Sequence, residues 1–135
     1  MEKVMEIPNN IYQKIIEEGE KQLPYEACGF ISGQNNKVRS FWPLVNEIRS
    51  RHRFFVSKSK VHQKIQEIHN TREQLYAVFH SHPTTAAIPS SYDLRNHPVD
   101  SIDMVIVSYK LDSPQLKWFQ IDQSSYKNIS WLLSS

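Results

Sequence analysis

Two histidines separated by a single serine are the residues of this sequence best suited to chemistry. Residues 80–83 read His-Ser-His-Pro and follow directly on an apolar run, residues 75–79. In an extended chain, residues i and i+2 project to the same side, so His80 and His82 can aim both imidazoles at one point. Since imidazole is a common metal ligand, this spacing predicts a metal site at the end of a buried strand.

Asp93 is the natural third ligand for such a site. Ser90 and Asp93 form a Ser-x-x-Asp pattern, and residues 84–89 make a loop long enough to bring Asp93 back to the histidines. A catalytic zinc ion typically takes three protein ligands and keeps a fourth position for water. The same pattern is typical of a capping box at a helix start, and one aspartate can serve both roles.

The complete set of residues resembles the signature of the JAMM or MPN-domain metalloproteases. That signature is a distant Glu followed by H-[ST]-H-P-x6-S-x2-D, and residues 80–93 match it without a gap. The similarity extends upstream to a P-x-E-x-C-G-x3-G run over residues 24–33, which resembles the segment that holds the family's Glu. The chain is most similar to compact, prokaryotic-type members, because it lacks the long insertions of the eukaryotic deubiquitinating ones.

The resemblance implies a role for each residue of the signature. The implied zinc ligands are His80, His82 and Asp93, with one Zn²⁺ per chain, the implied catalytic residue is Glu26, and Ser90 stabilises the developing oxyanion. Zinc polarises a carbonyl and lowers the pKa of its bound water toward about 7. A carboxylate beside it takes the water proton and returns it to the leaving amine, which typically contributes about 10²- to 10⁴-fold in rate. Loss of one oxyanion donor usually costs about 3 kcal/mol.

The implied function is that of a zinc-dependent metallopeptidase or isopeptidase, which hydrolyses an amide bond through a Glu-activated zinc-bound water. The implied substrate is the C-terminal tail of a ubiquitin-like or sulfur-carrier protein. Such a partner, a small β-grasp protein, could lay its extended tail along a sheet edge. The sequence leaves the natural substrate, the leaving amine and the oligomeric state open.

Two other functions stay open. An inactive MPN scaffold would keep the fold and act in complexes without metal, although every motif position is occupied here. A RadC-like, nucleic-acid-associated domain shares the H-x-H-P core, and residues 49–53, Arg-Ser-Arg-His-Arg, place cations beside Phe54 and Phe55. However, RadC-like motifs usually carry a glycine soon after the proline, which residues 84–89 lack, and short basic runs are mostly solvated loops. No nucleic-acid partner is therefore expected.

The remaining cysteine and histidines receive no catalytic role. Cys28 could be a nucleophile or a fourth zinc ligand, but a cysteine beside Gly29 in a strand-like run is more typical of a small buried apolar residue. The other histidines lack comparable spacing and are expected at the surface, namely His52, His62, His69 and His97.

Composition limits the other possibilities. The 135 residues are 39% hydrophobic, which suits one domain, residues 1–135, and a net charge of +2 indicates no general affinity for nucleic acids or membranes. Three glycines cannot supply a dinucleotide fingerprint, a P-loop or a nucleophile elbow. A single cysteine excludes an internal disulfide, and neither a secretory signal nor a membrane-spanning run is apparent, so a cytoplasmic location is expected.

The pattern of elements predicts an α+β fold, a single-domain mixed β-sheet flanked by helices, and the resemblance implies a cytidine-deaminase-like version of it. Two apolar stripes at helical spacing predict helices after residues 8–10 and after Ser57 or Ser59. Strands are predicted at residues 3–7, 28–31, 38–42, 53–56, 75–79, 104–107 and 116–121. Residues 126–133 are apolar enough to pack, but their pattern does not distinguish a helix from a strand.

Overall fold

The computed structural model describes residues 3–98 and 100–135. Within them, strands and helices alternate along the chain. The strands are β1 (Val4–Pro8), β2 (Cys28–Gln34), β3 (Lys37–Leu44), β4 (Gln74–His82), β5 (Asp103–Ser108), β6 (Gln115–Asp122) and β7 (Ser125–Ser134). The helices are α1 (Asn9–Gln22), α2 (Lys58–Asn70) and α3 (Ser91–Asn96).

The strands form one mixed sheet that closes on itself. Their order is β1-β3-β2-β4-β5-β6-β7, and β7 returns to pair with β1. The parallel neighbours are β1 with β3, β1 with β7 and β4 with β5, and the other pairs are antiparallel. The predicted α+β fold with a mixed sheet and flanking helices is confirmed. Residues 126–133, which the sequence left undecided, lie in β7.

β4 is covered on both faces, as its uninterrupted apolar run predicts. Phe79 packs in the core cluster that includes the apolar stripe of α1, whereas Val78 packs on the other face with residues of α2. Because side chains alternate along a strand, His80 and His82 continue the face of Val78, and Ser81 continues the face of Phe79. This alternation decides which neighbours each of the three residues can reach.

The two longer helices begin where the sequence predicts them. α1 follows Pro8 and ends at Gln22, just before the Leu23 and Pro24 pair that disfavours helix. Ser57 is the residue at the N-cap of α2, although its side chain makes no capping hydrogen bond. In the described part of the chain, no helix is both long enough and apolar enough to cross a membrane.

β2 and β3, which contain the strands predicted at residues 28–31 and 38–42, form a hairpin. Its turn contains Asn35 and Asn36, whose φ angles of 54° and 62° lie in the left-handed region that type I′ hairpin turns require. From this turn the antiparallel register runs to Cys28, which pairs with Leu44. The C-terminal end of β3 therefore lies beside the start of β2. Glu26 lies two residues before that start.

The prediction of a strand at residues 53–56 is wrong. These residues lie between β3 and α2, where the side chain of Asn46 satisfies their backbone: Asn46 Nδ2 donates to the carbonyl of Arg53 and Asn46 Oδ1 accepts the N–H of Phe55, both at 3.1 Å. The N–H of Glu47 also donates to the carbonyl of Phe55 at 2.9 Å. β4 already has β2 and β5 as its partners, so this apolar run packs over the sheet as a loop.

Candidate metal centre

His80 and His82 lie at the C-terminal end of β4, and His82 is its last residue. Both side chains are buried, and the ring of Phe54 stacks on that of His80 with centroids 5.3 Å apart. His82 Nδ1 lies 2.8 Å from the carbonyl oxygen of Ala86, which can only accept, so the ring nitrogen donates. A neutral His82 therefore has its free lone pair at Nε2, an arrangement typical of metal-ligating histidines.

Three side-chain atoms converge at this end of the strand. The Nε2 atoms of His80 and His82 are 3.2 Å apart, and Asp93 Oδ2 lies 3.1 Å from each of them. Among the described residues, these three form the only cluster of His, Cys, Asp or Glu side chains close enough to hold a metal ion. Burial lowers the pKa of His80, which favours the neutral imidazole that metals bind.

The convergence of these atoms fits a single divalent metal ion. Lone pairs on two imidazoles and a carboxylate repel one another at such distances, and a cation between them removes that conflict. Ligand atoms about 2.0–2.1 Å from a tetrahedral zinc ion lie about 3.3 Å apart, close to the separations observed here. Two imidazole nitrogens and one carboxylate oxygen are also ligands that zinc accepts readily.

α3 positions Asp93 through the predicted capping box. The N–H of Asp93 donates to Ser90 Oγ, and the N–H of Ser90 donates to Asp93 Oδ2, each at 3.0 Å. The oxygen that faces the histidines is thus also the oxygen that caps the helix, so the two interpretations of this pattern coexist. Burial raises the pKa of Asp93, but in the metal-free protein a proton on Nε2 of His80 or of His82 can be donated to its carboxylate, which outweighs burial and holds that pKa well below its usual range.

Glu26 lies in the segment just before β2, and its side chain is 2% exposed. Its N–H donates to the carbonyl of Ser50 at 2.8 Å, and its carbonyl accepts Asn46 Nδ2 at 3.1 Å. Continuing the register that pairs Cys28 with His80 places Glu26 opposite His82, on the same face of the sheet. Its Oε1 atom is buried without a hydrogen-bond partner among the described residues. Burial, followed by the charge of Asp93, raises the pKa of Glu26 to about 9.

The free energy of unfolding of the metal-free protein should therefore depend on pH through Glu26. The pKa of Glu26 in the folded protein, about 9, lies above the ordinary value of 4.5. The protonated carboxyl therefore contributes its full stabilisation of the fold below about pH 4.5, and this stabilisation is lost progressively between about pH 4.5 and 9. Glutamine does not ionise, so Glu26→Gln should not lose stability over this pH range. The variant should be about 1 to 3 kcal/mol more stable than the wild type at pH 7 and equally stable near pH 4.5.

Urea unfolding in the presence of a chelator, at both pH values, measures this difference. Glu17→Gln, an exposed change of the same type on α1, is the matched control and should leave the wild-type profile unchanged. Equal stabilities of wild type and Glu26→Gln at pH 7 would show that the buried carboxyl does not hold its proton in the folded state.

Ser81 faces away from the histidines and holds the segment of Glu26 in place. Its Oγ accepts the N–H of Ala27 at 2.7 Å, and its own N–H donates to the carbonyl of Ala27 at 3.0 Å. In the first of these bonds a side-chain oxygen replaces the strand carbonyl as acceptor. The middle residue of the His-Ser-His run thereby ties the backbone next to Glu26 to the backbone between the two histidines.

Replacing Ser81 with Ala should leave the buried N–H of Ala27 without an acceptor, at a cost of about 1–3 kcal/mol in stability. We expect the zinc content to stay near that of the wild type, while kcat falls at least about tenfold because Glu26 loses its support. Ser81→Thr keeps the hydroxyl and should restore kcat. A kcat in Ser81→Ala equal to that of the wild type, measured on protein shown to be folded by circular dichroism, would restrict Ser81 to a packing role.

Cys28 and the other four histidines, for which the sequence predicts no catalytic role, differ in how deeply they are buried. Cys28 is fully buried with Sγ 3.8 Å from the carbonyl of Leu44, and burial, helped by the charge of Glu26, raises its thiol pKa to about 12, which fits packing rather than catalysis. The expected surface position is confirmed for three histidines and wrong for one: His52, His62 and His69 are exposed, whereas His97 is half-buried. His97 is held against the carbonyl of Ile102 in the loop after α3, a placement that no local sequence signal indicates.

A cavity of about 230 Å³ adjoins the cluster. His80 and Asp93 form part of its lining together with His97, and its wall is mostly apolar. Three consecutive residues of the segment between β3 and α2 contribute to that wall, Phe54, Phe55 and Val56. The arrangement thus combines a candidate metal-binding triad with a partly apolar space beside His80 and Asp93, while Glu26 lines a second cavity with Tyr25 and Arg49.

Sequence comparison agrees with this geometry. A model of the family Prok-JAB, described as prokaryotic homologs of the JAB domain, matches residues 8–121, which include every residue of the signature. A desampylase from Pyrococcus furiosus is 27% identical over 85 residues, which are 63% of this chain and 61% of that protein. The match therefore spans less than two thirds of the relative.

Solved structures show the same fold. A protein from Desulfitobacterium hafniense superposes with a TM-score of 0.87 at 23% identity, covering 98% of this chain and 94% of that one. A structure described as JAMM, a metalloprotease-like zinc site in the proteasome and signalosome, has a TM-score of 0.61 at 17% identity, covering 96% and 98%. The resemblance to JAMM and MPN-domain proteins is thus confirmed, and the chain belongs to the Prok-JAB family, the prokaryotic homologs of the JAB domain.

Proposed function

We propose that the chain is a zinc-dependent metallopeptidase or isopeptidase that binds one Zn²⁺ through His80, His82 and Asp93. One observation carries the proposal: three ligand atoms lie within 3.2 Å of one another. Its catalytic partner is Glu26, whose carboxyl is buried opposite His82 and has an oxygen without a hydrogen-bond partner among the described residues. We further propose that residues 1–135 make up a single domain of this kind and that it works in the cytoplasm, where a lone buried thiol stays reduced.

Glu26 and Ser90 would each have a separate role in the proposed hydrolysis. Zinc, when bound, would supply a Lewis acid and lower the pKa of water toward neutrality. Glu26, with a pKa of about 9 when no cation is near, becomes a base at neutral pH only beside a positive charge, and it would then carry a proton from water to the leaving amine. Ser90 Oγ accepts the N–H of Asp93 and keeps its own O–H free to donate to the oxyanion.

We propose the C-terminal tail of a ubiquitin-like or sulfur-carrier protein as the substrate. The relative named desampylase supports a hydrolase of this general kind. β1 and β3 share a single residue pair, Glu6 with Lys37, so within the described residues the rest of β3 has no strand partner on that side. A tail added there as an extra strand would run toward Leu44, which pairs with Cys28 two residues from Glu26.

A cleavage assay tests this function. Small β-grasp proteins with Gly-Gly tails, joined through an amide to a fluorescent amine, should be cut by zinc-loaded protein, and a chelator should stop the reaction until zinc is restored. Protein purified without chelator should contain about one zinc per chain. A zinc content near zero together with no cleavage would instead support the inactive scaffold.

A further inference from the structure

The basic segment, residues 49–53, lies directly against the candidate site. The carbonyl of Ser50 accepts the N–H of Glu26 at 2.8 Å, so this segment and the buried carboxyl are neighbours in space although not in sequence. The next residue along, Phe54, stacks on the imidazole of His80. A run that its sequence alone associates with solvated loops therefore forms part of the rim of the site.

Two arginines of the basic segment reach opposite sides of that rim. The guanidinium of Arg49 lies over the ring of Tyr25, 5.2 Å from its centroid, and that of Arg53 lies over Tyr92 at 5.0 Å. Tyr25 immediately precedes Glu26, and Tyr92 immediately precedes the metal ligand Asp93. The basic segment thus extends from the side of the general base to the side of the carboxylate ligand.

The guanidinium groups of the basic segment form no ion pair with the described residues. Over the described residues, no carboxylate lies within 4.0 Å of the guanidinium groups of Arg49, Arg51 or Arg53. The neighbouring Glu47 uses its carboxylate to accept the N–H of Ser57 at 2.8 Å. Residues 47–53 contain three arginines and one glutamate, a net charge of +2 that equals the charge of the whole chain.

The backbone of Arg49 brings its side chain to the edge of the site. Its φ of 45° lies in the left-handed region, as it does at the turns of Arg72 and Gln123. The conformation turns the chain between Glu47 and Ser50, so that Arg49 lies over Tyr25 while Ser50 meets Glu26.

We propose that the basic segment recognises acidic residues of a polypeptide substrate beside the scissile amide. The inference rests on the proposed peptidase function and adds the charge of the substrate to it. Nucleic acid is the less suitable anion, because its successive bases stack on several uncovered aromatic faces. The rings of Tyr25 and Tyr92 each lie beneath a guanidinium and the ring of Phe54 is stacked on His80, which leaves Phe55, 52% exposed, as the uncovered ring next to the segment.

Two substrates that differ only in charge test the proposal. Both are Gly-Gly-tailed β-grasp proteins joined to a fluorescent amine, one with glutamates and one with glutamines in the residues flanking the amide. The zinc-loaded wild type should cleave the acidic substrate with about tenfold higher kcat/KM, mostly through KM, and salt at about 0.5 M should remove most of the preference. Arg51→Glu, which cancels the net charge of residues 47–53, should remove the preference, and Lys127→Glu, an exposed change on β7 outside both the basic segment and the β3 edge, should retain it.

Binding measurements separate this proposal from the proposed function. If neither substrate is cleaved but fluorescence anisotropy still shows about tenfold tighter, salt-sensitive binding of the acidic one, the recognition stands and the peptidase function fails. If both substrates are cleaved with equal kcat/KM, the function stands and the recognition is overturned. A single-stranded oligonucleotide that displaces the acidic substrate and binds more tightly than it does would also overturn the proposal, in favour of nucleic acid.

Discussion

Glu26→Gln should lower kcat by about 10²- to 10⁴-fold while leaving the zinc content unchanged. Gln has the size of Glu but cannot accept a proton, so the change removes the base and keeps the volume of a side chain that is almost fully buried. The substitution should not disturb the fold, because burial already holds the metal-free carboxyl in its protonated, uncharged form. Elemental analysis and the cleavage assay, made on the same preparation, measure the two quantities together.

Glu17→Gln, on the exposed side of α1, provides a control with the same chemical change and should keep both activity and zinc. A Glu26→Gln variant that turns over at the wild-type rate would remove Glu26 from the mechanism. Loss of zinc in this variant would instead mean that Glu26 is required to hold the metal, which is not the role proposed for it.

Asp93→Asn should lose both zinc and activity yet keep α3 capped. An amide oxygen can still accept the N–H of Ser90, which Asp93 Oδ2 accepts at 3.0 Å in the wild type, but it lacks the charge that holds a cation between His80 and His82. We expect zinc affinity to fall at least about 100-fold. Zinc at about 100 times its dissociation constant should stabilise the wild type by about 2.7 kcal/mol and this variant hardly at all.

Asp93→Ala removes the ligand and the hydrogen bond that Asp93 Oδ2 accepts from the N–H of Ser90, while Ser90 Oγ still caps the helix, so the metal-free form should lose a further 0.5–1.5 kcal/mol, about the usual value of one hydrogen bond. His80→Ala should lose zinc as Asp93→Asn does, and His62→Ala, an exposed histidine on α2, is the matched control that should bind zinc normally. Thermal unfolding with and without zinc distinguishes these variants. Wild-type zinc stabilisation in Asp93→Asn would exclude the aspartate as a ligand.

The convergence of the three candidate metal ligands could be predicted because its geometry is local. The period of two along β4 puts His80 and His82 on one face, and the capping pattern from Ser90 places Asp93 in the first turn of α3. Glu26 is different, since 54 residues separate it from His80 in sequence. Its position depends on the register between β2 and β4, and only the resemblance to a family pointed to it.

In two segments the local sequence pattern does not predict the observed secondary structure. Residues 53–56 have the composition of a strand, but their backbone partners belong to Asn46, a polar side chain earlier in the same loop. Residues 126–133 form a strand because residues 126–129 pair with β6 and the residues from Ser130 on pair in parallel with β1, at the other end of the chain. A hydrophobicity pattern detects neither the backbone contacts of a polar side chain, as for Asn46, nor a partner strand at the far end of the chain, as for β1.

The attachment of Glu26 to Asn46 and Ser50 also limits how this protein can be re-engineered. Surface loops usually accept grafted sequences of other lengths, and the stretch between β3 and α2 is the obvious place to install a new specificity. Here two positions within that stretch hold the backbone of Glu26, the proposed general base. A successful transplant must therefore keep both anchors at their present spacing and vary only the residues that follow Ser50.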